Sequence, residues 1–179
     1  MKNKDLIKAV VILAVIALIS GALLGLFYQI TFVTEAEKEQ RIVASLQNIY
    51  KSDNYEKIDF RTDNTELNKS IQYFFEDKSA KVYIIVATGK SGYKDKVPMY
   101  VIIKDDKIIA LKEGNKKETP GISDAAFSEE YFNKFLKPIK ELDFGEDIDT
   151  ETGATYSRRA VISSVENAVN FYKQYKGNL

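Results

Sequence analysis

Residues 71–112 read IQYFFEDKSAKVYIIVATGKSGYKDKVPMYVIIKDDKIIALK, and this stretch decides the fold. Four runs in it are rich in aromatic and β-branched residues: Ile71 to Phe75, Val82 to Thr88, Val97 to Lys104 and Lys107 to Lys112. Such side chains suit a pleated, half-buried surface, so each run predicts a strand. Ser91-Gly92 separates the second run from the third. Asp105-Asp106 joins the third to the fourth as a hairpin turn, because aspartate tolerates the left-handed backbone such turns need. Short connections between successive strands predict an antiparallel sheet.

Downstream of the sheet the hydrophobic spacing becomes that of a helix. Asp124 to Leu136 reads as a helix whose Phe127, Tyr131, Phe132 and Phe135 form an aromatic stripe, better read as core than as a cofactor box, with Pro138 ending it. The clearest helix is Ser157 to Tyr175, where Val161, Val165, Ala168 and Tyr172 fall at i, i+4, i+7 and i+11 and predict packing on the sheet. Lys173, Lys176 and Gly177 suit its carboxyl end. Neither an internal repeat nor a low-complexity tract interrupts this part, which reads as one α+β domain.

Upstream lies a segment of another kind. Ala9 to Ile30, AVVILAVIALISGALLGLFYQI, contains no charged residue and as a helix is about 33 Å long, enough to cross a bilayer. A cleaved signal would have a shorter apolar region followed by small residues, whereas Ser20-Gly21-Ala22 lies inside this one, so a retained transmembrane helix is expected. Lys2, Lys4 and Lys8 precede the span and Glu35, Glu37 and Glu39 follow it, which puts residues 1–8 in the cytoplasm and the rest on the extracytoplasmic side of the cell membrane. Ala17, Gly21 and Gly25 recur every fourth residue, a strip where a partner helix can dock or simply the ordinary composition of membrane helices. From Glu35 to Lys51 the spacing of Ile42, Leu46, Ile49 and Tyr50 predicts an amphipathic stalk helix continuing from the span, and polar residues 51–68 read as a loop. The expected organisation is therefore 1–8 cytoplasmic, 9–30 transmembrane, 31–69 stalk and connection, and 70–179 folded domain.

Composition narrows the chemistry. Twenty-six basic residues balance twenty-six acidic ones; setting aside Lys2, Lys4, Lys8 and Asp5 leaves the remainder at a formal −2, so no nucleic-acid partner is indicated. The 179 residues include no cysteine and no histidine, which removes disulfides, the usual zinc sites, ordinary haem ligation, and thiolate or imidazole catalysis. No metal site and no catalytic side chain is expected, and redox work would need an organic cofactor. Ahead of the last helix, Asp149 to Ser157 (DTETGATYS) gathers small and hydroxylated residues. Thr155 or Ser157 could cap the helix with a side-chain oxygen, while Gly153 permits a tight backbone. Alternatively the Thr155 hydroxyl, at the positive end of the helix dipole with Arg158 and Arg159 just downstream, would favour a phosphate.

At these residues the chain resembles the FMN-binding domain family that carries a covalently attached flavin, found in the G subunit of the Rnf complex and the C subunit of the sodium-pumping NADH:quinone reductase. Asp149 followed by Thr152-Gly153-Ala154-Thr155 matches the attachment motif, and Glu118-Thr119-Pro120-Gly121-Ile122 matches a second element, which in the family lies against the flavin ring and which also reads as a Pro-Gly type II turn. Lys116 stands where members often have histidine, and Lys94-Asp95-Lys96 replaces a glycine-rich stretch. The resemblance implies a phosphoester between FMN and Thr155, made by a flavin transferase from FAD, with Thr152, Gly153, Ala154, Glu118, Thr119, Gly121 and Ile122 at the cofactor. It implies an antiparallel-sheet flavin domain behind a membrane anchor, working as an electron-transfer subunit of an Rnf-type ion-translocating ferredoxin:NAD+ oxidoreductase beside other membrane subunits. Its flavin would relay electrons without a substrate site of its own. Two rival readings are the quinone-reductase subunit, whose chain is usually longer, and a non-enzymatic anchored surface or assembly module, which leaves both motifs unexplained.

Overall fold

A computed structural model of the chain describes residues 2–52, 54–60, 65–92, 94–115, 118, 121, 123–145 and 154–177. They divide into two compact units, one ending at Ser45 and the other running from Leu46. In the first, helix α1 (Lys2–Thr31) contains the apolar run, and none of that run is buried within the chain. It is long and apolar enough to cross a membrane. Helix α2 (Glu35–Leu46) does not continue α1, contrary to the sequence reading. Thr34 starts it afresh with a reciprocal cap: Glu37 N–H donates to Thr34 Oγ1 at 3.2 Å and Thr34 N–H to Glu37 Oε2 at 3.0 Å.

The second unit is a five-stranded antiparallel meander in chain order: β1 (Tyr55–Lys57), β2 (Ile71–Asp77), β3 (Val82–Ala87), β4 (Met99–Lys104) and β5 (Lys107–Glu113). A short helix, α3 (Glu66–Ser70), leads into β2. Strand β1 and α3 lie in the stretch read as a loop. Asp105 and Asp106 take φ of 49° and 57°, the paired left-handed geometry of a tight hairpin between β4 and β5. The stripe expected as a single helix is split. A 3-10 turn covers Asp124–Phe127, Ser128 becomes extended, and its hydroxyl caps helix α4 (Glu129–Asn133) by accepting from Tyr131 N–H at 3.2 Å. Tyr131, Phe132 and Phe135 are buried as the aromatic-core reading requires.

Helix α5 (Thr155–Gly177) packs on one face of the sheet, placing Val161, Val165, Ala168 and Tyr172 in a core with Phe74, Ile85, Val101 and Ile103. Both of its ends are tied. At the carboxyl end Asp106 accepts from Tyr172 Oη at 2.9 Å and from Lys176 Nζ at 2.5 Å, so the β4–β5 hairpin fixes where the helix stops. The position of its first turn, which decides where Thr155 lies, follows from this packing.

The β2–β3 turn holds a titratable lock. Asp77 is buried and accepts from the hydroxyls of Ser52 and Ser79 and from the N–H groups of Ser79 and Ala80. The Ser52 hydroxyl first, then Ser79 and the two amides, hold its carboxyl down from 3.8 to about 2. Since the folded-state value lies below the unfolded one, the stabilisation is complete above pH 4 or so and is lost as pH falls through about 2. Asp77→Asn should therefore melt below wild type at pH 7, with the gap closing across that acid window; thermal midpoints measured against pH check this, and a gap that does not change with pH would refute it.

Candidate functional site

Among the described residues no side chain caps the start of helix α5. Arg158 N–H donates to the Ala154 carbonyl at 2.9 Å, which makes Ala154 the cap residue and Thr155, Tyr156 and Ser157 the first turn. An alanine side chain accepts nothing, and among the described residues no group accepts from the N–H groups of that turn. The capping role allowed for Thr155 or Ser157 is thus not what the structure has. Thr155 is half-buried, and its hydroxyl has no hydrogen-bond partner among the described residues. Tyr156 beside it is exposed, an aromatic the sequence reading passed over.

Ser157 is turned the other way, into the protein. Its hydroxyl donates to Glu118 Oε2 at 2.5 Å, with both residues buried. Glu118 Oε1 accepts Lys94 N–H at 3.2 Å. The turn that supplies this amide is closed by Gly92 N–H on the Asp95 carbonyl at 2.8 Å and by a bridge between Ser91 and Lys96. So the Lys94-Asp95-Lys96 stretch, which departs from the family pattern, is a built turn tied to Glu118. Gly92 lies against the same carboxylate: a Cβ there would be 2.6 Å from Glu118 Oε1, so a side chain at this position would displace the carboxylate. Gly121 takes φ of 83°, as the third residue of a type II turn does, and its N–H donates to Asp124 Oδ2 at 3.0 Å.

The two sequence motifs therefore meet: Glu118, from one, bonds the first turn of the helix that the other opens. Thr119, Ile122, Thr152 and Gly153 of the expected site, together with Pro120, Asp149 and Lys116, lie outside the described residues. Of the two arginines downstream of Thr155, Arg158 lies against the aromatic core. It is buried, its guanidinium carbon 5.0 Å from the centre of the Tyr131 ring. Burial pushes the Tyr131 phenol up to about 12 despite the nearby guanidinium, so the ring is neutral under Arg158. Arg159 is exposed. Among the described residues no group of acidic side chains is placed to hold a metal ion.

A helix opening whose N–H groups have no acceptor among the described residues, with a positive dipole end and a hydroxyl beside it, suits a phosphate, and so suits a phosphorylated cofactor. Comparison with known proteins agrees with that chemistry. The FMN-binding domain family matches residues 92–170, from the Gly92 turn through most of α5, a match that supports FMN as the cofactor. Over nearly its whole length the chain is homologous to the G subunits of ion-translocating oxidoreductase complexes, which bears out the resemblance read from the sequence. The G subunit of the proton-translocating ferredoxin:NAD(+) oxidoreductase complex of Clostridium ljungdahlii is 24% identical, covering 92% of this chain and 90% of the relative. The G subunit of the ion-translocating oxidoreductase complex of Methanosarcina acetivorans is 22% identical over 98% of each chain. That of Buchnera aphidicola is 31% identical over 56% of this chain and 55% of its own.

Proposed function

We propose that this chain is the flavin-carrying electron-transfer subunit of an Rnf-type ion-translocating ferredoxin:NAD+ oxidoreductase, with FMN held by a phosphoester to Thr155 and installed by a flavin transferase. The observation behind it is the Thr155 hydroxyl, without a partner among the described residues, in the first turn of a 23-residue helix. The first-turn N–H groups and the dipole would neutralise the phosphate charge. FMN, when bound, supplies one- and two-electron transfer. The domain's work is to fix the ring's place relative to neighbouring redox centres and keep its local concentration independent of free flavin.

The apolar helix supports a membrane anchor at residues 9–30, and the lysine-before, glutamate-after flanks support residues 1–8 in the cytoplasm with the flavin domain on the opposite side. Other subunits of the complex are the partners this reading requires. The test is the intact mass of the full chain made in its native membrane, or co-produced with an active flavin transferase. The expected result is one FMN esterified at Thr155, located by peptide fragmentation. A bare threonine under those conditions would overturn the attachment.

A further inference from the structure

Glu118 belongs to the segment whose family counterpart lies against the flavin ring, yet its carboxylate is already committed elsewhere. It is 8% exposed, and its oxygens accept from Ser157 Oγ at 2.5 Å and Lys94 N–H at 3.2 Å. Ser157 is 4% exposed and stands two residues beyond Thr155 in the same helical turn. Gly92 packs against the carboxylate, where an added Cβ would lie 2.6 Å from Glu118 Oε1 and displace it. Three segments far apart in the chain, the 91–96 turn, residue 118 and the start of α5, are thus joined through a single carboxylate.

We infer that Glu118 is a positioning residue for flavin attachment, a buried clasp with Ser157 that holds the first turn of α5 in the orientation presenting Thr155 Oγ. This rests on the attachment reading above and adds a role that does not require Glu118 to touch the flavin. Ser157 is the joint of the clasp: its hydroxyl donates inward, so the turn is held from behind while the Thr155 hydroxyl has no bond among the described residues. A negative group lodged behind the first turn is also stabilised by the helix dipole, so the clasp and the helix start reinforce each other. The carboxylate charge itself is not essential to such a clasp, because an amide can donate to the Ser157 oxygen through its NH2 and accept from Lys94 through its carbonyl.

The test is the rate of covalent flavin incorporation into the full-length chain by its flavin transferase, followed by in-gel flavin fluorescence, with thermal melting alongside. Ser157→Ala and Glu118→Ala should each slow incorporation by about tenfold to a hundredfold, since small displacements of a reacting group cost rates of that order. The double variant should be no slower than either single, because both remove one interaction. Glu118→Gln should incorporate flavin at close to the wild-type rate. Ser164→Ala, which removes the 2.8 Å bond from mid-helix to the Val97 carbonyl, is the control for general loosening of α5: it should lower the melting temperature and leave the rate alone.

Should Glu118→Ala not fold, Ser157→Ala, which deletes one oxygen, decides the matter. Wild-type rates in both clasp variants, slowing in Glu118→Ala alone, or slowing in Ser164→Ala matching that in Ser157→Ala would each overturn the clasp while leaving attachment standing. A wild-type chain that takes up no flavin under an active transferase would overturn both.

Discussion

Thr155→Ala should give a chain that folds like the wild type and has no covalent flavin. The loss is expected to be complete rather than graded, because an ester requires an oxygen and, of the other hydroxyls described in that turn, Ser157 is buried and bonded to Glu118 while Tyr156 carries a phenol and not an alcohol. Stability should barely move. Had Thr155 been a capping residue, its removal would cost about 1 kcal/mol. The cap is Ala154, and the threonine hydroxyl makes no bond among the described residues, so a change within about 0.5 kcal/mol is expected, as for ordinary surface substitutions. Thr155→Ser keeps the oxygen and should keep the flavin. Intact mass and thermal melting of the three chains, each co-produced with the transferase, check both halves. Flavin retained on Thr155→Ala would refute the site, and a flavin-free chain that also melts about 1 kcal/mol lower would restore the capping reading.

What could be read from the sequence was whatever repeats at a fixed short spacing. Val161, Val165, Ala168 and Tyr172 announce the face of α5 because the helical period depends only on neighbours along the chain, and strands β2 to β5 announce themselves by runs of aromatic and β-branched residues. The Asp105-Asp106 hairpin was legible because its backbone demand is local. Some local signals were present and passed over: Thr34 and Glu37 form a capping box that breaks the stalk from α1, and Ser128 caps α4 so that the aromatic stripe is divided. Strand β1 has three residues and no alternation to detect; it exists because β2 offers it an edge, with Glu56 opposite Glu76. At the site, the motifs located Thr155 and Glu118 but not their relation. The Ser157–Glu118 bond joins residues 39 apart in the chain, and nothing in the local sequence specifies it. Nor does the proximity of Arg158 to Thr155 in sequence say that its guanidinium will lie over Tyr131.

The second large effect lies where the sheet and α5 come closest. Gly89, just past β3, faces the middle of the helix, and a Cβ built there would be 2.5 Å from the Ser163 carbonyl carbon and from the Ser164 nitrogen, and nearer still to Ser163 Oγ. These are backbone atoms in the interior of a regular helix, so they cannot rotate away as a side chain would. The approach is also bonded across: Lys90 N–H donates to Ser163 Oγ at 3.0 Å, Ser164 Oγ to the Val97 carbonyl at 2.8 Å, and Asn167 Nδ2 to the Thr88 carbonyl at 2.9 Å. Gly89→Ala must push α5 off the sheet and strain all three bonds, at a cost of about 1–3 kcal/mol by the usual scale of overpacking, and Gly89→Val should cost more. Against a total stability of about 5–15 kcal/mol such a loss is large. Adding Ser163→Gly should not rescue Gly89→Ala, because it removes the oxygen and leaves the backbone contacts at 2.5 Å. Gly177→Ala, where an added Cβ meets nothing within 4 Å, should be neutral by comparison. Urea unfolding of the full chain in detergent, read through the tyrosine near-ultraviolet signal, checks the series. Gly89→Ala as stable as Gly177→Ala, or restored by Ser163→Gly, would mean that the helix can yield at this point. In that case the position of Thr155 must be set at the helix ends, where Glu118 and Asp106 grip it, and not by the close approach at its middle.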